Sequence, residues 1–290
     1  MRKKLLIGII VLILFSSGCI KKPGIGPEVT EYNIGTKGLE INIIKNLPPE
    51  ETWKGNAFVI GIELINAGAF NITDGELALS GFDPEYIGIQ KPQETFELNG
   101  KQPGYPDGES KVFNFEVQNL GIREGSEEYV SSFSIRTEYN YETTATAEVC
   151  INPDIYSTVK TKHVCEIGPI TLRGGQGAPV SVVSIDETIS PVGLNHEVSF
   201  IFHIKNQGEG RVMNKFIKVK EAKLSNQELE CKDNIEFENK EDNLIQCSVI
   251  LEELRGAYIT PLSITFEYEY ENVVDHKLKI VDLLLKSKKI

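Results

Sequence analysis

Over most of its length this chain alternates apolar and polar residues one by one, and that period admits extended structure only. In "SITFEYEYENVV" (263–274) Phe266, Tyr268 and Tyr270 fall on one side of a strand and Glu267, Glu269 and Glu271 on the other, because successive side chains of a strand point to opposite faces. An amphipathic helix would space its apolar residues three and four apart, and most of the chain lacks that spacing. The same signal, or a short β-branched and aromatic run, marks "FVIGIELIN" (58–66), "KVFNFEVQNL" (111–120), "SFSIRTEYNYETTATAEV" (132–149), "VSFIFHIKN" (198–206) and "PLSITFEYEYENVVDHKLKIV" (261–281). The three glutamates of "EYEYE" are expected to face water.

Some of these strands resemble one another. "ELINAGA" (63–69) lies over "HIKNQGE" (203–209) at an offset of 140, placing Asn66 on Asn206 and Gly68 on Gly208. "SIRTEYNYE" (134–142) lies over "SITFEYEYE" (263–271) at an offset of 129. Two matches in one order define an internal repeat, and the falling offset leaves about 11 extra residues in the first copy. "KPQETFELNGKQPGYPDGES" (91–110), polar and rich in Gly and Pro, is the expected place for them, as a long excursion without strands of its own. "RGGQGAPV" (173–180) reads as a linker. Its position divides the body into domain 1 (30–172) and domain 2 (181–290), each with seven or eight short strands. The expected fold class is therefore all-β, with two tandem immunoglobulin-like antiparallel β-sandwiches behind an N-terminal signal or lipid anchor. The Asn-x-Gly that ends a strand in both copies suits a reversing turn, since both residues tolerate positive φ. In carrying it, as in "IELINAGAFNITDGELALSG", the chain resembles the CARDB-like and S-layer-associated immunoglobulin-like modules of archaeal and bacterial surface proteins.

The N-terminus carries an address. Arg2, Lys3 and Lys4 precede an apolar run from Leu5 to Phe15, short of the roughly 20 residues that a membrane span needs, and small residues then lead to Cys19. The segment resembles the leader of exported bacterial and archaeal lipoproteins, with Ser16 where that family usually has Leu. The resemblance implies removal of residues 1–18, lipidation of Cys19, and a tether over residues 19–29 that is rich in Lys, Gly and Pro. An uncleaved signal anchor is the alternative. Either way the body is expected outside the cytoplasm, anchored to the membrane at the cell surface.

The net charge is −12, and losing Arg2, Lys3 and Lys4 with the leader makes it −15. So acidic a body disfavours nucleic acid as a partner and leaves the membrane, through the anchor, together with envelope proteins or surface polymers. Besides Cys19 there are four cysteines, which suggests disulfides in one of three connectivities. The boundary at 173–180 favours Cys150 with Cys165 and Cys231 with Cys247, each bracing one irregular connection. Asn71-Ile72-Thr73 is an N-glycosylation sequon. Trp53 is expected to pack in the core or at an edge. The histidines are scattered: His203 sits in a strand, and His163 with Cys150 and Cys165 falls short of the four ligands of a closed zinc site. Asp83, Asp107 and Glu109 lie in loops without a calcium-binding spacing. No motif assembles a catalytic constellation, and neither a cofactor nor a metal is expected. The expected role is a non-enzymatic envelope spacer or binding module. The alternative is an accessory subunit of a secretion, pilus or S-layer assembly that works through strand edges.

Overall fold

The computed structural model describes residues 32–153, 164–252, 254 and 256–286. The first repeat contributes β1 (Leu39–Ile43), β2 (Glu51–Trp53), β3 (Ala57–Asn66), β4 (Ile72–Ser80), β5 (Ile87–Ile89), β6 (Gln93–Leu98), β7 (Ser110–Asn119) and β8 (Glu128–Ile151). There follow β9 (Ile170–Thr171), β10 (Val180–Val192), β11 (Asn195–Asn206), β12 (Arg211–Val212), β13 (Phe216–Leu224) and β14 (Gln227–Glu228). The chain continues through β15 (Glu230–Cys231), β16 (Asn234–Glu236), β17 (Asn243–Leu251) and β18 (Tyr258–Val281) to a four-residue helix, Leu283–Lys286. The described structure is thus almost entirely β.

Three sheets result. One has the order β1-β3-β7-β5, and a second the order β15-β17-β11-β10-β9. The third has nine strands, with β14-β13-β18-β8-β4-β6 as its path. All described pairs are antiparallel except β2 with β18. Each long strand keeps the period seen in the sequence: along β8, Phe133, Ile135, Thr137, Tyr139, Tyr141 and Thr143 are buried while the residues between them are partly or fully exposed. The apolar faces of all three sheets meet in one core.

The nine-stranded sheet draws on both repeats. β8 and β18 pair over their whole lengths, with Tyr139 opposite Tyr270 and Tyr141 opposite Tyr268. At the centre Asn140 stands opposite Glu269, which is its own counterpart at the offset of 129. Antiparallel pairing of two equivalent strands about such a pair is the geometry of a local two-fold axis, as in an isologous dimer. From Tyr32 onward the chain forms one compact unit.

Residues 173–180, expected as a linker, are packed between the halves. The Gly35 N–H donates to the Gly174 carbonyl, the Gly177 N–H to Gly35 and the Ala69 N–H to Gly177. Their glycines permit this close approach: a Cβ on Gly175 would lie 2.2 Å from the Gly35 oxygen. The 91–110 stretch also differs from expectation, because β6 lies within it and pairs with β4.

Candidate functional site

Period-two alternation sends Tyr139, Tyr141, Tyr268 and Tyr270 to the inner face at the two-fold. Across the strands the Tyr139 and Tyr270 rings stand 5.9 Å apart and those of Tyr141 and Tyr268 6.4 Å. Each half then repeats one network. The Tyr141 hydroxyl donates to Asn66 Oδ1 at 3.1 Å, and the Tyr270 hydroxyl to Asn206 Oδ1 at 2.9 Å. The Leu39 N–H donates to the Tyr139 hydroxyl at 3.2 Å, and the Val180 N–H to the Tyr268 hydroxyl at 3.3 Å. The halves also reach across: Asn272 Nδ2 donates to the Leu39 carbonyl and Thr143 Oγ1 to the Val180 carbonyl.

The Asn-x-Gly motif does make a turn, with Asn66 Oδ1 accepting the Gly68 N–H at 3.4 Å and Asn206 Oδ1 the Gly208 N–H at 3.1 Å, but not through the positive φ expected of it. Neither Asn66, Gly68, Asn206 nor Gly208 has positive φ. The asparagine amides instead clamp the following loops, Asn66 Nδ2 donating to the Phe70 and Leu98 carbonyls and Asn206 Nδ2 to Gly210. The glycines leave room for the tyrosine hydroxyls.

A cleft of about 350 Å³ opens beside this network, lined by Gly38, Leu39, Ile41, Tyr139, Tyr270 and Val273 among others. Burial holds the phenols in their neutral form, raising Tyr139, Tyr141 and Tyr268 well above the usual tyrosine range and Tyr270 up to about 12. Around neutral pH they serve as hydrogen-bonding groups. The cleft is mixed in character, with Lys37, Glu40, Glu209 and Asn272 also in its lining.

Cys150 is bonded to Cys165 and Cys231 to Cys247. Such bridges form and persist chiefly in chains that fold outside the reducing cytoplasm. Cys19 and His163 lie outside the described residues. Asn71 is exposed just before β4, and its Oδ1 accepts the Gly100 N–H at 2.8 Å. Trp53 ends the edge strand β2 and is half exposed. His203 bridges Asp186 and Asp242, 3.0 Å from each, and the Asp242 hydrogen bond leads in raising its pKa. Asp83 caps the Glu85 N–H and Glu109 holds Asn99, so those loop carboxylates serve their own turns. Among the described residues no group of three or more His, Cys, Asp or Glu could hold a metal ion, and no helix is long and apolar enough to cross a membrane.

One expectation fails within "EYEYE". Glu271 is only 2% exposed, held in ion pairs by Arg136 and Arg211, and Arg136 also pairs with Glu138. Two further groups escaped sequence reasoning. Gln176 reaches forward to bond Val182, and Glu187 on β10 faces inward at 8% exposure, its carboxylate near the Cys150 backbone but without a well-formed hydrogen bond. A glutamate at an inward position of "VSVVSIDETI" was the one signal for the latter.

No family model matches the chain, and no curated protein matches it. Among solved structures, the YadV chaperone gives a TM-score of 0.22 at 8% identity, covering 77% of this chain and 91% of that one. The E. coli chaperone DraB gives 0.21 at 9% identity, with 76% and 87% covered. The secreted serine protease VesC from Vibrio cholerae gives 0.22 at 11% identity, with 82% and 51% covered. At such scores these likenesses carry no argument about fold or function.

Proposed function

We propose that this chain is a non-enzymatic envelope protein, held to the membrane by lipid on Cys19, whose two immunoglobulin-like halves of the CARDB-like and S-layer-associated kind act as a spacer and binding module. The observation that carries this reading is the unbroken pairing of β8 with β18 over 24 residues each. At about 3.4 Å per residue such a pair reaches roughly 80 Å, and it couples the halves through backbone hydrogen bonds along its length. The two disulfides suit work in an oxidising compartment.

A second reading, as accessory subunit of a secretion, pilus or S-layer assembly, is favoured by one feature: among the described residues no strand pairs the edge of β1 that borders the cleft. For the anchor, mass spectrometry of the native protein is expected to find a mature chain beginning at lipid-bearing Cys19, and Cys19→Ala is expected to leave the precursor unprocessed. A mature protein that retains Met1 would overturn the lipid tether. Cross-linking on intact cells, compared between the native chain and Cys19→Ala, then identifies what the anchored body touches.

A further inference from the structure

The repeat allows the two small sheets to be compared position by position, and they differ at one edge. Leu39 stands opposite Asn66 as Val180 stands opposite Asn206, so Ile41 and Val182 are counterparts. The Ile44 N–H donates to the Gly61 carbonyl of β3. Because backbone groups alternate along a strand, Glu40 and Asn42 also turn theirs toward β3, while Ile41 and Ile43 turn theirs away from it.

In the second half that outward edge is closed. The Val182 N–H donates to Gln176 Oε1 at 2.9 Å, and Gln176 Nε2 donates back to the Val182 carbonyl at 3.2 Å. The Leu172 N–H donates to the Val183 carbonyl, and β9 lies antiparallel on β10, with Thr171 opposite Ser184 and Ile170 opposite Ile185. In the first half Gly35 stands four residues before Leu39, as Gln176 stands before Val180, and has no side chain to reach forward. No described residue bonds the N–H or C=O of Ile41 or Ile43 along that edge. The cleft of about 350 Å³ borders it, with Tyr139, Tyr270 and Val273 in its lining.

We infer that the outward edge of β1 docks an extended segment of a partner protein, which adds as an antiparallel strand along Ile41 and Ile43, where in the second half Gln176 and, past a β-bulge at Val183 that β1 lacks, β9 close the edge of β10. The inference rests on the assembly-subunit reading and names its contact surface. The occupant's chemistry follows from the template and the lining. Its backbone bonds Ile41 and Ile43, and one face of it presents an apolar β-branched residue to those half-buried isoleucines and Val273, as Ile170 does in β9. Lys37 and Glu40 pair with each other beside the cleft and Glu209 adds a further carboxylate to its lining, so the occupant carries no acidic residue on that side.

The chain supplies its own probe, a synthetic peptide "EIGPITLR" (residues 166–173). Added at saturation to the full-length protein, it is expected to slow amide hydrogen exchange of Ile41 and Ile43 by about tenfold or more, and to leave Glu40 and Asn42 unchanged because those already bond β3. A peptide with Pro for Ile170 and Thr171 is expected not to bind, and Ile41→Pro, which removes an outward N–H and spares the ladder to β3, to abolish protection at Ile43. The peptide control keeps the test independent of how well Ile41→Pro folds. Unchanged exchange at millimolar peptide would overturn the docking site. So would Ile41 and Ile43 amides already as slow as Asn42 in the protein alone, since the chain itself or a second copy would then fill the edge. Either failure leaves the result at Cys19, and with it the envelope reading, untouched.

Discussion

Two residues show how narrowly the interior is specified. A Cβ at Gly68 would stand 2.0 Å from the Tyr141 hydroxyl oxygen and 2.5 Å from the Gly177 carbonyl oxygen, and one at Gly208 2.5 Å from the Tyr270 hydroxyl. Gly68→Ala must displace a bonded tyrosine or backbone, so it is expected to cost about 2–3 kcal/mol in urea denaturation. Full stability in that variant would refute the close-approach reading. Glu187 makes a different claim. Burial pushes its carboxyl from 4.5 up to about 7, against a smaller opposing effect of the Cys150 backbone. The unfolded chain therefore loses this proton near 4.5 while the folded chain keeps it to about 7. Across that window the folded state binds more protons, so stability is fully present below it, falls as pH rises through it, and levels off above. The loss is on the order of 1–3 kcal/mol, and Glu187→Gln is expected to remove it. Identical pH profiles for the two proteins would dismiss the assignment.

At the scale of elements, alternation decides which face a residue occupies, and neighbouring strands decide whether that face meets water. Glu267 and Glu269 lie on the outer face as their spacing predicts, yet Glu271, in phase with both, is covered because β12 passes beside it and Arg211 and Arg136 close over its carboxylate. Arg136 also separates Glu271 from Glu138, which stands directly opposite on β8 and would otherwise repel it. Replacing both arginines by methionine leaves a buried carboxylate without a counter-charge. The expected loss is about 2 kcal/mol, below the 3–5 kcal/mol for breaking fully buried pairs because both arginines are partly exposed. Adding Glu271→Gln to that pair is expected to recover most of it, and urea denaturation of the three proteins reads the difference.

For the whole molecule the decisive feature is that the repeats share a sheet. Strands linked by a continuous ladder cannot melt one half without exposing the other's inner face, so calorimetry is expected to show a single transition with equal calorimetric and van't Hoff enthalpies. Two resolved transitions, or a stable fragment ending at residue 172, would show that the halves fold independently. The same sharing gives the proposed spacer its length and stiffness.

Much of this was legible beforehand. The five longest sequence-read strands coincide with β3, β7, β8, β11 and β18 to within a few residues, because side-chain alternation is a local property that survives any packing. The repeat was legible for a similar reason: equivalent halves need the same Asn, Gly and Tyr to build the same network. Tertiary structure alone decided that β8 pairs with β18, that the 173–180 segment is packed between the halves, and that Gln176 closes one edge whose counterpart, with Gly35 in that place, no described residue closes along Ile41 and Ile43. Strand partners are chosen by contacts between residues more than a hundred positions apart, and a sequence pattern that records which face is apolar does not record which edge will meet which.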